Sequence, residues 1–160
     1  MGDVTRNLSF SEAVVSIQFP KLAEQVRLTK LDEIKLSYLF RIYIQPARDY
    51  LNSMFHTFKN DEIKVKITSG KRSFKLNFAV GGSEESDHMY TNQSCAVDHY
   101  FYRKSGLNLT PIYTMLAKDF YLTQQNYGQL IFYKQTKKVG ISFIHLSLPT
   151  DKHINYFNVV

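Results

Sequence analysis

Apolar positions along the chain fall into two rhythms. From Thr29 they recur at Leu31, Ile34, Leu39, Ile42, Tyr43, Ala47, Leu51 and Met54, the spacing of one face of a helix. Thr29 and Asp32 stand at capping-box separation at its start, which predicts a long amphipathic helix. Pro46 falls inside it and lacks a backbone donor, so a kink near Ile42 or two helices in tandem is expected. A weaker pattern from Ser11 to Gln25, interrupted by Pro20, predicts one short helix. Ile63, Val65 and Ile67 then alternate with Lys64 and Lys66, the period of a strand with one buried face, and Ser69-Gly70 ends it. Phe74 to Val80 reads as a short helix stopped by Gly81-Gly82. Met89 to Tyr90 and Ala96 to Tyr102 read as strands around a polar turn. Thr110-Pro111 predicts a helix to about Tyr121 with Thr110 as its N-cap. Gln129 to Lys134 and Gly140 to Leu148 complete a hairpin across a lysine-rich turn. Helices come first, antiparallel strands later and one helix is inserted, which is an α+β arrangement. With neither repeat nor linker, residues 1–160 are expected to form a single domain.

Composition narrows the function classes. With 160 residues, 44% of them apolar and 21% charged, the chain can build one core but not two ordinary domains. Twenty basic against fourteen acidic residues give a net charge of +6, which would attract any polyanion. The basic residues are dispersed, however, densest at Lys134, Lys137 and Lys138, without an arginine-rich arm, so no specific nucleic-acid binding is expected. Aromatic residues sit in strand-like or helix-periodic stretches, where core packing accounts for them. No run approaches the length of a membrane span. The opening MGDVTRNLSF has no apolar stretch, so no signal peptide is expected, and Arg6 stands where myristoylation of Gly2 would need Ser or Thr. The single cysteine, Cys95, excludes a disulfide framework and a cysteine-rich zinc module but leaves zinc held by histidine and carboxylate open.

A catalytic zinc needs three protein ligands and an open fourth position. The candidates are His56, His88, His99, His145 and His153 with the carboxylates. His88 and Asp98 flank the polar turn between the two strands expected there. His145 interrupts the apolar run Ile141 to Leu148, where an imidazole needs a polar partner. Spacing alone leaves a satisfied core histidine and a metal ligand both open. The acidic trio Glu84, Glu85 and Asp87 reads as an exposed turn.

The stretch from Ile63 to His88 resembles the zinc D-Ala-D-Ala carboxypeptidase and endolysin group of the hedgehog/DD-peptidase fold. That group has a strand ending V-T-S-G-Y-R-S, then an N-x-x-V-G-G turn, then S-x-H. Here these stand as Ile67-Thr68-Ser69-Gly70-Lys71-Arg72-Ser73, Asn77 to Gly82, and Ser86-Asp87-His88. Ala96-Val97-Asp98 resembles the end of the family's G-x-A-x-D. Phe143-Ile144-His145-Leu146-Ser147 resembles its W-I/V-H-I/V-S, preceded by Gln129-Leu130-Ile131 for Q-L-I. Ser11-Glu12 and Gln45-Pro46-Ala47-Arg48 resemble upstream elements, so the likeness runs through about residues 9–148.

The resemblance implies that His88, Asp98 and His145 bind zinc, that Arg72 holds the substrate carboxylate or developing oxyanion, and that Ser86 supports that contact. For Ser69 and Gly70, turn formation suffices as an account. His56, His99 and His153 are expected to be dispensable for the metal, and strand alternation should turn His99 away from Asp98. Three departures stand out. Nine residues separate His88 from Asp98, where the family usually has six and includes a glycine. Phe143 replaces the family Trp. The general-base positions are occupied by Tyr133 and Ser142, leaving the base unidentified. The expected activity is therefore zinc-dependent hydrolysis of a D-alanine-type bond in a peptidoglycan peptide, weakened by loss of the base. The alternative is a non-catalytic structural or envelope-binding protein of a phage particle, with other phage proteins as partners. Either way the resemblance implies residence in host cytoplasm or particle, with any action at the cell wall.

Overall fold

The computed structural model describes residues 3–137 and 140–160; Gly2, and Lys138 in the expected hairpin turn, lie outside them. Two short antiparallel strands open the chain, β1 (Asp3–Thr5) and β2 (Leu8–Ser9). Between Ser11 and Gln25, where one helix was expected, a 3-10 turn (Phe10–Ala13) and a single-turn helix α1 (Pro20–Ala23) stand instead. The intervening Ser16 bridges to Ser69, and Pro20 can only start a helix here, not continue one.

The long helix is present in three parts: α2 (Lys30–Leu39), a π-helical turn (Phe40–Ile44) and α3 (Gln45–Met54). Thr29 and Asp32 form the predicted capping box, each side chain accepting from the other's backbone N–H at 3.2 and 2.8 Å. The expected irregularity near Ile42 is the π turn. Pro46 offers no N–H to the carbonyl four residues earlier, and the Gln45 N–H reaches back five residues to Phe40 O, widening the turn rather than breaking the helix.

The main sheet follows: β3 (Lys64–Ser69), β4 (Ala96–Tyr102), β5 (Gln129–Tyr133), β6 (Phe143–Ser147) and β7 (Tyr156–Val159), in spatial order β3-β4-β6-β5-β7. Between β3 and β4 lie helix α4 (Phe74–Ala79) and a 3-10 turn (Asp87–Met89); between β4 and β5 lies α5 (Thr110–Gln124). The α+β class is as expected, but the sheet is mixed rather than antiparallel. β7 pairs parallel to β5, a strand whose exposed residues give no alternation to read. Met89 and Tyr90 are not a strand. Met89 closes the 3-10 turn and Tyr90 adopts a left-handed conformation. Thr110 is the first residue of α5 rather than its N-cap, which is Leu109.

Strand alternation divides the sheet into two faces. Val65, Ile67, Val97, Phe101, Leu130, Phe132, Ile144 and Leu146 pack with Leu36, Leu39, Phe40, Tyr43, Leu51, Tyr113, Ala117 and Tyr121 in one core. Asp98, His145, Gln129, Ile131 and Tyr133 are directed to the other face, where they border a cleft. Cys95, ahead of β4, is fully buried, and burial pushes its thiol up to about 12. Thiol reagents attack the thiolate. Native protein is therefore expected to resist a disulfide reagent at neutral pH and to release one thiol equivalent only in denaturant; rapid native labelling would contradict this packing.

Candidate metal centre

Asp98 on β4 and His145 on β6 are direct cross-strand partners, and the antiparallel register makes both project from the open face. His88 reaches them from the 3-10 turn, whose start is capped by Ser86 Oγ accepting from His88 N at 3.3 Å. The three side chains converge. His88 Nε2 lies 3.1 Å from Asp98 Oδ1 and 3.1 Å from His145 Nδ1, and His145 Nδ1 lies 2.9 Å from Asp98 Oδ1. Their donor atoms all fall within 4.8 Å of one another, and all three residues are buried.

The other ring nitrogen of His88 faces Gly70 O at 2.8 Å. A carbonyl can only accept, so Nδ1 carries the proton and Nε2 presents its lone pair to the cluster. Burial holds the His88 imidazole below its usual range, outweighing the raising effect of Asp98. Burial pushes the Asp98 carboxyl up, but the two imidazoles beside it prevail and hold it well below the carboxylate range. A neutral imidazole and an ionised carboxylate thus turn electron pairs toward one point with a second imidazole nitrogen. That donor set fits a zinc ion.

Arg72 closes one side. Its Nη2 donates to Asp98 Oδ2 at 3.3 Å, and Nε and Nη2 both donate to Ser69 Oγ at 3.1 and 3.0 Å. Its backbone N–H donates to His88 O at 2.7 Å, which ties the strand end to the metal-bearing turn. The cleft these residues border has a volume of about 440 Å³. The family model of Peptidase M15 matches residues 14–140. The chain belongs to this family. No curated protein and no solved structure matches it.

Peptidase M15 members are zinc-dependent, and the His88, Asp98 and His145 group can bind a metal ion. The family match includes His88, Asp98 and Arg72 and ends before His145, which only the sheet register brings to the site. Tyr133 borders the same cleft but lies flat against Phe143, ring centroids 4.4 Å apart with planes 8° from parallel. Burial raises its phenol above the ordinary value, with Asp98 adding to the effect. Ser142 is committed to the β5–β6 connection, accepting from Gln135 N at 3.0 Å.

Arg72 is held by Ser69, whose hydroxyl the irregular register beside Asp98 aims at the guanidinium, while Ser86 borders the same cleft. One expectation is corrected by this geometry. Asp87 is buried, unlike its exposed neighbours Glu84 and Glu85, because the 3-10 turn rotates it inward with His88. Ser69 and Gly70 do more than form a turn: Ser69 holds Arg72 and Gly70 faces His88. Gly70 passes so close to Ala13 that an added Cβ would stand 2.1 Å from Ala13 O, and this approach presents its carbonyl to His88. The T-S-G-x-R string was the available signal. His99 faces the core, as alternation required, with Nε2 2.8 Å from Tyr121 Oη, and burial pushes its imidazole down to about 4.

The enlarged segment between His88 and Asp98 does not border the cleft. It is gathered by Lys35, whose Nζ donates to Tyr90 O, Asn92 O and Ser94 O at 2.9, 3.2 and 2.9 Å.

Proposed function

We propose that this protein is a zinc peptidase hydrolysing a peptide bond beside a D-alanine-type residue in peptidoglycan peptides, at a rate reduced by the tyrosine at position 133. The observation that carries the reading is the convergence of His88 Nε2, Asp98 Oδ1 and His145 Nδ1 beside the Arg72 guanidinium in one cleft. His88, Asp98 and His145 would hold the zinc, which when bound polarises a carbonyl and acidifies a water. Arg72, fixed by Ser69 and Asp98, keeps Nη1 without a partner among the described residues and offers it to a substrate carboxylate. Ser86, bordering the same cleft, holds the His88 backbone in place. Neither the converged ligand set nor the family match favours the non-catalytic phage-structural alternative.

The test is hydrolysis of D-Ala-D-Ala peptides and intact peptidoglycan by zinc-loaded protein. The expected result is slow turnover in the wild type, below the ordinary range of about 1 to 1000 per second. Tyr133→Glu, which places a carboxylate on the cleft face of β5, is expected to raise kcat at least about tenfold, since a positioned general base contributes roughly 100- to 10,000-fold. Zinc binding without hydrolysis in either protein would refute the peptidase reading. The no less specific expectation for Arg72→Ala is a raised KM for peptides ending in a free carboxylate, with zinc content unchanged. An unaltered KM would remove Arg72 from substrate recognition.

A further inference from the structure

The main sheet ends differently at its two edges. On β3, Lys64 and Lys66 are exposed, and the strand's end is covered by the bridge between Ser16 and Ser69, with Ile17 N donating to Thr68 O at 3.3 Å. Lysines and a covering segment keep an edge strand from pairing with another chain. At the opposite edge β7 has neither guard. Tyr156 to Val160 contains no charge and no proline, and all five residues are exposed. Among the described residues only β5 pairs with it, leaving its outer side open.

The ladder to β5 fixes which backbone groups are spare. Tyr156 N donates to Gly128 O and Val160 N to Phe132 O, both at 2.9 Å, and Lys134 N donates to Val160 O at 2.9 Å. Backbone groups alternate along a strand, so the N–H and C=O groups of Phe157 and Val159 point away from β5. Val159 N–H has a local acceptor, Asn158 Oδ1 at 2.8 Å. This strand is complementary to itself. In an antiparallel pair related by a two-fold axis at Asn158, Phe157 of each copy exchanges both backbone hydrogen bonds with Val159 of the other, and every spare group is used.

The side chains agree with that register. Phe157 lies on the face covered by α5, where Lys118 Nζ stands 5.9 Å from the Phe157 and Phe132 ring centroids and is itself paired with Asp119. Alternation puts Val159 on the same face, so pairing sets Phe157 of one copy beside Val159 of the other and carries the apolar side of the sheet across the axis. No like charges meet within the strands, although each copy has a net charge of +6. A foreign strand could use the same hydrogen bonds, but a register in which outward residue meets outward residue without opposing charge is a property of β7 against itself.

We propose that β7 is a docking edge for a second copy of this chain, joining the two sheets through antiparallel β7–β7 pairing centred on Asn158. Both metal clefts then open on the same side of the joined sheet. The contact is smaller than a stable interface of about 1,200 Å² or more, so a reversible dimer with a dissociation constant on the order of 10 to 100 µM is expected.

Sedimentation equilibrium of the full chain between about 1 and 500 µM tests this, and wild type should pass from monomer to dimer across that range. Val159→Pro removes an outward N–H without touching a bond to β5, and should weaken the dimer at least about tenfold. Asn158→Lys and Asn158→Asp, at an exposed position, each set like charges across the axis and should each stay monomeric. Mixed in equal amounts they should associate at least as tightly as wild type, because opposite charges then face each other. Circular dichroism reads whether the variants keep the fold. Wild type that stays monomeric at the highest concentration overturns the proposal and leaves this edge to a strand of another protein. A dimer unchanged by Val159→Pro, or charge variants that behave the same alone and mixed, overturns it by placing the contact elsewhere.

Discussion

His145→Ala is expected to abolish zinc binding and peptide hydrolysis together while leaving the chain folded. His145 faces the cleft from the middle of β6, and its Nδ1 meets Asp98 and His88 at 2.9 and 3.1 Å. Loss of groups that merely orient metal ligands already costs about 10- to 100-fold in affinity, so loss of a ligand should exceed that. With zinc gone, no water is acidified near neutrality and turnover falls to background. Metal analysis after reconstitution and a parallel peptide assay read the two effects, and circular dichroism reads the fold. His56→Gln should behave as the wild type. His99→Gln should keep its zinc but lose stability, since His99 is fully buried against Tyr121 on the other face. About one zinc per chain retained in His145→Ala would remove the ligand assignment.

The second large effect is expected at a residue with no part in the chemistry. Lys35 on α2 is buried and donates to three carbonyls of the segment joining His88 to Asp98, with Asp32 3.5 Å away. Lys35→Met preserves the aliphatic stem but leaves those carbonyls without their donor. Each unsatisfied buried polar group costs about 1–3 kcal/mol, and partial access of water at Asn92 tempers the sum, so a loss of about 3 kcal/mol is expected. In a chain of this size that lowers the melting temperature by roughly 6–12 °C. Asp32 retains Lys71 at 2.6 Å, so the loss should come mainly from the loop. Zinc affinity should weaken as well, because the same loop sets the separation of His88 and Asp98. A melting temperature within about 2 °C of wild type would show that the loop holds itself.

The two cases differ in how far they could be anticipated. Lys35 lies within a helix-periodic stretch and carries no motif, and the carbonyls it binds belong to residues more than fifty positions away. The hydroxyl holding Arg72 is a related case: Ser69 lies three residues away, and the irregular register at the end of β3 aims it at the guanidinium. Asp87 likewise sits in an acidic run that composition alone assigns to solvent. Its burial follows from the turn that delivers His88.

What the chain determines locally was legible: the capping box at Thr29, the irregularity forced by Pro46, the alternation of β3, the glycine stop after α4 and the ordered motif residues Arg72, His88, Asp98 and His145. The first four depend on backbone chemistry or side-chain periodicity within a few residues, whereas the motif residues were legible only through the resemblance to a family. Tertiary structure alone decided the parallel addition of β7 and the withdrawal of the long loop from the cleft. These depend on which distant segments share a sheet edge, and a strand edge accepts a parallel or antiparallel neighbour by hydrogen bonds that carry no side-chain signature.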